Sequence, residues 1–220
     1  MIMNHRAREP WLYLITDRKA CEPRDMMVLI ARAAAAGVDL VQIREKDLPA
    51  RAVCHLVERA VAAVKGHSTR VLVNDRFDIA LACGAHGVHL TTQSLPTRVV
   101  RAQVGDRLMI GVSTHSLEEV KRAEREGADF VVCGPVFETP SKRPYGPPLG
   151  LAAFAEIVRQ TRLPVLGIGG INLTNFRRVL ACGARGIAAI RLFMEATSVE
   201  DVVRQLKRKS SSYSFHGWLW

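Results

Sequence analysis

Short runs of apolar residues alternate along the chain with longer stretches in which apolar residues recur at helical spacing. Short apolar runs bounded by turn residues are typical of buried strands, and the longer stretches are typical of amphipathic helices. The pattern predicts strands at residues 11–16, 40–44, 70–74, 87–90, 109–113, 130–136, 164–168 and 186–190. It predicts helices at residues 25–36, 49–64, 78–82, 97–103, 117–126, 151–160, 173–181 and 199–207.

Four of the predicted helices end in nearly the same phrase, a glycine followed within a few residues by a strand: Gly37, Gly84, Gly127 and Gly183. Glycine at a helix C-terminus followed by a buried strand indicates a tight turn, and its recurrence marks repeated βα units. Alternating strands and helices imply a parallel sheet. Eight units favour closure into a single (β/α)8 TIM barrel of the α/β class over an open doubly wound sheet.

The predicted units divide the chain into three parts. Residues 1–10 are a loose N-terminus, residues 11–207 form the barrel domain, and residues 208–220 form a basic and aromatic C-terminal tail. An apolar share of 48% over 220 residues is ample for one domain. No apolar run is long enough to span a bilayer, and no secretory signal is evident, which predicts a cytoplasmic protein without a membrane partner.

The cysteine pattern and the net charge limit the kinds of site and ligand that the sequence predicts. Five scattered cysteines with no C-x-x-C pair predict free thiols rather than a disulfide framework or a structural zinc site. A net charge of +10 suits nucleic acid, an anionic surface or phosphorylated small molecules. Only 6% of residues are aromatic and no basic helix carries interleaved aromatics, so phosphorylated small molecules are favoured over nucleic acid. The oligomeric state stays open, a homo-oligomer being one alternative.

Polar residues gather where the predicted strands end, which in a barrel is the face that carries the chemistry. Alternation after strand two places Gln42, Arg44 and Lys46 on one side. Two cations and an amide at the barrel mouth suit a polyphosphate. The alternative is that the two cations form salt bridges with Glu45 and Asp47.

Strands three and five end in further polar groups. Asp75 is either the N-cap of the next helix or a ligand for Mg²⁺. Ser113 can donate a hydrogen bond to a phosphate, and His115 is either a structural histidine or a general acid. Ser116 and Glu119 fit a capping box, which requires no function.

The last three βα loops are typical of a phosphate site. Residues 134–146 form a long loop with hydroxyls and two cations, as in a lid over an anion. Gly169 and Gly170 follow strand seven, and Arg191 follows strand eight, where this fold commonly binds phosphate. Asn172 can cap the helix that begins behind the glycines.

Six motifs together resemble a known family. They are QIREK at 42–46, VNDRFDIA at 73–80, GVHL at 87–90, GVSTH at 111–115, GPVFETPSK at 134–142 and GIGGI at 167–171. In order and spacing they resemble the thiamine phosphate synthase and TenI family over residues 11–194. The resemblance implies a barrel enzyme of thiamine biosynthesis, a transferase that joins hydroxymethylpyrimidine diphosphate to thiazole phosphate with release of diphosphate.

The same resemblance implies roles for individual residues. Gln42 faces the pyrimidine, and Asp75 binds Mg²⁺, the implied cofactor. The diphosphate is held by Arg44, Lys46, Asn74, Ser113 and Lys142, of which the three cations are the catalytic candidates. The thiazole phosphate lies among Thr139, Ser141 and the Gly169–Gly170 turn, with Arg191 nearby.

Three residues depart from the family pattern. Ser94 stands where synthases usually carry a second Mg²⁺ carboxylate, which predicts weakened metal binding. Arg191 replaces a small serine, so it either strengthens anion binding or fills the space. Pro135 stands where a tautomerase places its acid/base histidine.

These departures leave two alternatives to the favoured synthase. A TenI-type thiazole tautomerase, an isomerase, would need His89 or His115 as its acid/base. A non-catalytic relative would bind phosphorylated ligands of the thiamine pathway without turnover.

Overall fold

The computed structural model describes residues 9–139 and 147–208. Its eight strands are all parallel, each pairs with the next along the chain, and the first pairs with the last, so the sheet closes into a barrel. Helices lie between consecutive strands on the outside. The predicted (β/α)8 barrel is confirmed. The predicted termini lie mostly outside the described residues, so the division into three parts stays a prediction.

The strands are β1 (Trp11–Ile15), β2 (Leu40–Ile43), β3 (Arg70–Asn74), β4 (Gly87–Leu90), β5 (Met109–Thr114), β6 (Phe130–Cys133), β7 (Val165–Gly167) and β8 (Gly186–Ala189). The helices are α1 (Arg18–Cys21), α2 (Met26–Ala36), α3 (Ala50–Ala63), α4 (Phe77–Ala82), α5 (Thr97–Val104), α6 (Leu117–Arg125), α7 (Gly150–Arg159), α8 (Phe176–Ala181), α9 (Arg191–Met194) and α10 (Val199–Lys207). A 3-10 turn, Gly105–Arg107, follows α5.

The sequence pattern predicts every strand and all the longer helices, but two short helices were missed. They are α1 and α9, each of four residues, a length too short for helical periodicity to emerge. The first of them begins behind Asp17, whose carboxylate accepts hydrogen bonds from the Lys19 and Ala20 amides.

The helix after β7 begins later than predicted. The Asn172 side chain accepts from the Thr174 and Asn175 amides, while the Asn175 side chain accepts from the Asn172 amide. The two asparagines thereby stabilise a turn. The expectation that Asn172 caps the helix was therefore wrong, because α8 starts only at Phe176.

Apolar side chains form two layers separated by the sheet. The outer layer packs the helices against the strands. The inner layer fills the barrel, and its largest buried members include Tyr13, Phe130, Leu72 and Leu166. Gly111 makes room for this packing, since a Cβ built there would lie 2.3 Å from the Phe130 ring and 2.8 Å from His89 Nδ1.

The repeated glycines behave as predicted. Gly37, Gly84, Gly127 and Gly183 all have positive φ, between 66° and 104°. A left-handed residue ends each helix and returns the chain to the next strand, which is a conformation that favours glycine.

The cysteine prediction was wrong for one pair. Cys54 and Cys83 form a disulfide between α3 and the end of α4, whereas Cys21, Cys133 and Cys182 are free thiols. The sequence offered no signal, because the pairing depends on how the two helices pack. Within the described residues, no helix is long and apolar enough to cross a membrane.

Candidate functional site

A chain of hydrogen-bonded polar side chains lies inside the barrel below its mouth. Gln42 Nε2 donates to the Tyr13 hydroxyl at 3.0 Å, the hydroxyl is 3.2 Å from His89 Nδ1, and His89 Nε2 is 2.9 Å from Ser113 Oγ. Tyr13, Gln42 and His89 are 0%, 1% and 3% exposed, respectively. Four strands, β1, β2, β4 and β5, each supply one member.

The partners fix the direction of this chain. The Tyr13 oxygen accepts from Gln42, so its own proton needs an acceptor, and among the described residues His89 Nδ1 is the one within reach. His89 then carries its proton on Nε2 and donates to Ser113. The Ser113 hydroxyl proton has no acceptor among the described residues and is available to a ligand.

Burial holds His89 in its neutral form. Loss of hydration, the larger cause, and the nearby positive charge of Arg44 together lower the pKa of His89 to about 3. Burial also raises the pKa of Tyr13 far above its usual range, despite the hydrogen bond from Gln42. Neither group changes its charge near neutral pH, so these hydrogen-bonded side chains can orient a ligand without exchanging protons with it.

Glu45 and Asp47, the carboxylates of the salt-bridge alternative, both bind Arg18. Glu45 accepts from the Thr16 hydroxyl at 2.8 Å, and both Glu45 and Asp47 bind the Arg18 guanidinium, at 3.0 and 2.6 Å. That guanidinium holds the pKa of Asp47 well below its usual range. The carboxylates are thus engaged by α1.

Arg44 lies half-buried near the end of the polar chain, where its charge reaches His89. Within the described residues its guanidinium forms no ion pair, so it can bind an anion. Lys46 lies three residues beyond the end of β2 and is exposed. The predicted convergence of Gln42 and Arg44 on the barrel interior and mouth is consistent with this geometry, whereas Lys46 lies on the rim.

Two side chains that carry oxygen atoms lie at the end of β3, Asn74 and Asp75. Asn74 Oδ1 is buried and, among the described side chains, is the one such atom without a hydrogen-bond partner. Asp75 is exposed and has a φ of 64°, and its amide donates to the His89 carbonyl at 2.9 Å. The N-cap of α4 is Arg76, and no side chain caps it, so the capping alternative for Asp75 was wrong.

Ser94 is held within its own loop. Its hydroxyl accepts from the Thr91 amide at 2.8 Å and lies 3.2 Å from the Thr91 hydroxyl. In the described part of the chain, the one group of three His, Cys, Asp or Glu side chains close enough to share a metal ion is Cys54, Glu58 and Cys83, in α3 and directly after α4. A metal at the mouth would therefore rest on Asp75, the Asn74 oxygen and the ligand's own phosphates.

The loops after β6 and β7 run side by side. The Val136 and Phe137 amides donate to the Ile168 and Gly169 carbonyls at 2.8 and 3.1 Å. A Cβ at Gly170 would lie 2.5 Å from the Glu138 carbonyl oxygen, so this close approach requires glycine. Thr139 is half-buried at the end of this segment. Ser141 and Lys142 lie outside the described residues.

Two predicted candidates lie close to glutamates on the surface. Arg191 follows β8, as predicted, and is the first residue of α9; its exposed guanidinium lies 3.5 Å from Glu195. His115 is exposed and lies 3.2 Å from Glu119, which also accepts from its amide. Ser116 caps α6, as predicted.

Tyr13 is the member of the site that sequence analysis missed. It occupies the centre of an otherwise apolar strand, where an aromatic residue is typical of core packing. Alternation with Trp11 and Ile15 does place it inside the barrel. Its contacts with Gln42 and His89 depend on the closure of the sheet, which no local pattern reveals.

Comparison with known proteins adds independent findings. Residues 12–193 match the family described as thiamine monophosphate synthase. A Geobacter sulfurreducens protein, named provisionally as a thiamine-phosphate synthase, is 44% identical over 89% of this chain and 92% of its own length. A thiamine-phosphate synthase of Roseiflexus castenholzii is 40% identical over 89% of this chain and 86% of its own.

A solved structure agrees with this. The thiamine phosphate pyrophosphorylase from Pyrococcus furiosus is 34% identical, with a TM-score of 0.81 over 89% of this chain and 93% of that one.

Proposed function

We propose that this chain, which belongs to the thiamine monophosphate synthase family, joins hydroxymethylpyrimidine diphosphate to thiazole phosphate and releases diphosphate. The observation that carries the proposal is the neutral polar chain that ends at the barrel mouth beside Arg44. It offers one uncharged surface for a pyrimidine and one cation for its leaving group.

The reaction needs little proton transfer. The bond between the pyrimidine methylene carbon and the diphosphate oxygen breaks, and its electron pair leaves with diphosphate. The thiazole nitrogen then donates its lone pair to the methylene carbon, which forms the new carbon–nitrogen bond. Catalysis consists of stabilising the departing charge and positioning the two partners.

We assign stabilisation of the departing diphosphate to three cations. Arg44, Lys46 and Lys142 would bind diphosphate, with Asn74 and Ser113 completing its hydrogen bonds. The Ser113 hydroxyl is free to donate because it accepts from His89. Preorganised donors of this kind stabilise developing negative charge without reorganising during the reaction.

We assign the pyrimidine to Gln42 and its neighbours inside the barrel. A positively charged histidine there would repel the cationic carbon that forms as diphosphate departs. The lowered pKa of His89 keeps that ring neutral at working pH. The thiazole phosphate would bind beside Thr139, Ser141, Gly169 and Gly170, within reach of Arg191.

Magnesium fits the oxygen ligands at the end of β3. Asp75 would hold it through its carboxylate, and the partnerless Asn74 oxygen offers a neutral ligand. When bound, Mg²⁺ would neutralise part of the diphosphate charge. One carboxylate with substrate phosphates suffices for this metal, so the hydroxyl of Ser94, held by Thr91, is not required.

The two histidines that the tautomerase alternative would need are both engaged by other side chains. His89 is neutral, buried and bonded at both ring nitrogens, and His115 is bonded to Glu119 on the surface. A proton shuttle at neutral pH needs a group with a pKa near 7, which His89 does not have.

The test is chromatographic detection of thiamine phosphate after incubating the purified chain with both substrates and Mg²⁺. We expect product and an equal amount of diphosphate, and loss of both when the metal is chelated. A chain that binds both substrates by calorimetry but forms no product with Mg²⁺ or Mn²⁺ would instead be a non-catalytic relative. Turnover of a thiazole tautomer without diphosphate release would establish the isomerase.

A further inference from the structure

A disulfide links two of the outer helices, α3 and α4. Cys54 lies in the second turn of α3, and Cys83 directly follows α4. Their Cα atoms are 6.2 Å apart, inside the range that a disulfide spans, although the residues are 29 positions apart in sequence. The fold itself therefore holds the two sulfurs within bonding reach.

The two sulfurs differ in access. Cys54 is half-buried, whereas Cys83 is only 9% exposed. A reagent from solution thus reaches Cys54 first, and Cys83 stands directly behind it as the second sulfur. An accessible cysteine with a resolving partner is the arrangement that reversible thiol oxidation requires.

The other cysteines are not arranged in this way. Burial raises the pKa of the Cys21 thiol, and it raises that of Cys133 to about 11. Cys182 is partly exposed, and burial raises its thiol pKa as well. Because the thiolate is the reactive form, these three are poor targets for oxidation.

We propose that Cys54 and Cys83 are a redox-responsive pair that cycles between a dithiol and the disulfide. In the oxidising direction, Cys54 attacks a low-molecular-weight disulfide and releases one of its thiols. Cys83 then attacks the mixed disulfide, forms the Cys54–Cys83 bond and releases the second thiol. The protein loses two electrons and two protons, and the small disulfide gains them.

The bond joins α3 to a helix of only six residues. Helices this short depend on packing for their stability, so a covalent link at the end of α4 restrains it. The same helix begins directly behind the turn that contains Asn74 and Asp75. Oxidation therefore restrains α4, which begins next to the mouth. This inference does not depend on the proposed function.

The test compares fully reduced full-length protein before and after incubation with oxidised glutathione. We expect the thiol count to fall from five to three. Tryptic digestion without reductant should then give one disulfide-linked product, composed of residues 52–59 and 77–98. Hydrogen exchange of the α4 amides should be slower in the oxidised protein and should return to its original rate after reduction.

Two matched variants identify the pair. Cys83→Ser should abolish the linked product and leave α4 exchange insensitive to glutathione, whereas Cys182→Ser should behave as the wild type apart from one thiol fewer. Retention of all five thiols, or linkage through other cysteines, would overturn the proposal. Equal α4 exchange in both forms would also overturn it.

The competing interpretation is that the two cysteines bind a metal ion. The ligand atoms of Cys54, Glu58 and Cys83 lie within 4.8 Å of one another, which a thiophilic cation such as Zn²⁺ could exploit. If the reduced protein retains Zn²⁺ through dialysis and thereby resists glutathione, the pair is a metal site and the redox proposal fails. Glu58→Gln, which removes a metal ligand but no sulfur, should leave disulfide formation intact if the proposal is correct.

Discussion

Beneath the barrel mouth, Gln42, Tyr13 and His89 satisfy one another and are shielded from water. On the rim, Asp75 is exposed and the neighbouring Asn74 oxygen has no partner among the described residues. The polar groups of the interior thus have hydrogen-bond partners without a ligand, whereas the oxygen atoms on the rim are available to one. A fixed interior can set the shape of a binding site, and unsatisfied groups at the rim can supply its affinity.

The largest effect should follow from removing Arg44, the cation at the mouth. Arg44→Gln should lower the rate of thiamine phosphate formation by about 10²-fold or more, because one preorganised partner of the departing charge is lost. Steady-state kinetics with both substrates would measure it. Arg159→Gln, at the end of α7 and paired with Glu156 on the surface, is the matched control and should leave the rate unchanged. Equal rates for the two variants would remove Arg44 from the site.

Breaking the interior should instead affect stability. Tyr13→Phe deletes the hydroxyl between Gln42 and His89 and leaves two buried polar atoms without a partner. Each such loss costs about 1–3 kcal/mol, so the free energy of unfolding should fall by at least about 2 kcal/mol. Urea denaturation would measure this. A change below about 0.5 kcal/mol would show that the hydrogen bonds of Tyr13 contribute little to stability.

The interior also predicts a pH dependence. The pKa of His89 is about 3 in the folded protein, below its usual value, so the unfolded chain binds more protons between these two values. Stability should therefore fall as the pH falls, by about 2 kcal/mol between pH 7 and pH 5 from this residue.

Urea denaturation at the two pH values would measure that difference. His89→Gln should lose this part of the dependence, whereas His115→Gln should retain it because His89 is still present. An identical pH dependence in the wild type and His89→Gln would contradict the assignment.

The smallest effect concerns the metal. Ser94→Asp adds a second carboxylate near the end of β4 and should reduce the Mg²⁺ concentration needed for half-maximal rate severalfold. Ser94→Ala, which removes the hydroxyl without adding charge, should not reduce it. A titration of rate against Mg²⁺ would distinguish them, and equal requirements in both variants would place Ser94 away from the metal.

Local patterns were sufficient for the fold. Apolar runs, helical spacing and the four repeated glycines each act over a few residues, so they can be found without knowing the tertiary structure. The short helix α9 was missed for the same reason, since four residues carry no period. Arg191 consequently proved to begin a helix and pair with Glu195.

The site was only partly predictable. Gln42, Arg44, Asn74 and Ser113 follow from their positions at strand ends. The role of Arg18 does not, because its contacts with Glu45 and Asp47 join segments 27 and 29 residues apart. The disulfide between Cys54 and Cys83 belongs to the same class of long-range contact.

Gly111 has a consequence for how the barrel can vary in sequence. The volume that a side chain would take there is already occupied by the Phe130 ring. A larger residue at position 111 is therefore tolerated only when the residue at position 130 becomes smaller. We expect the two positions to change together among related chains, so that this part of the barrel interior varies by paired substitutions.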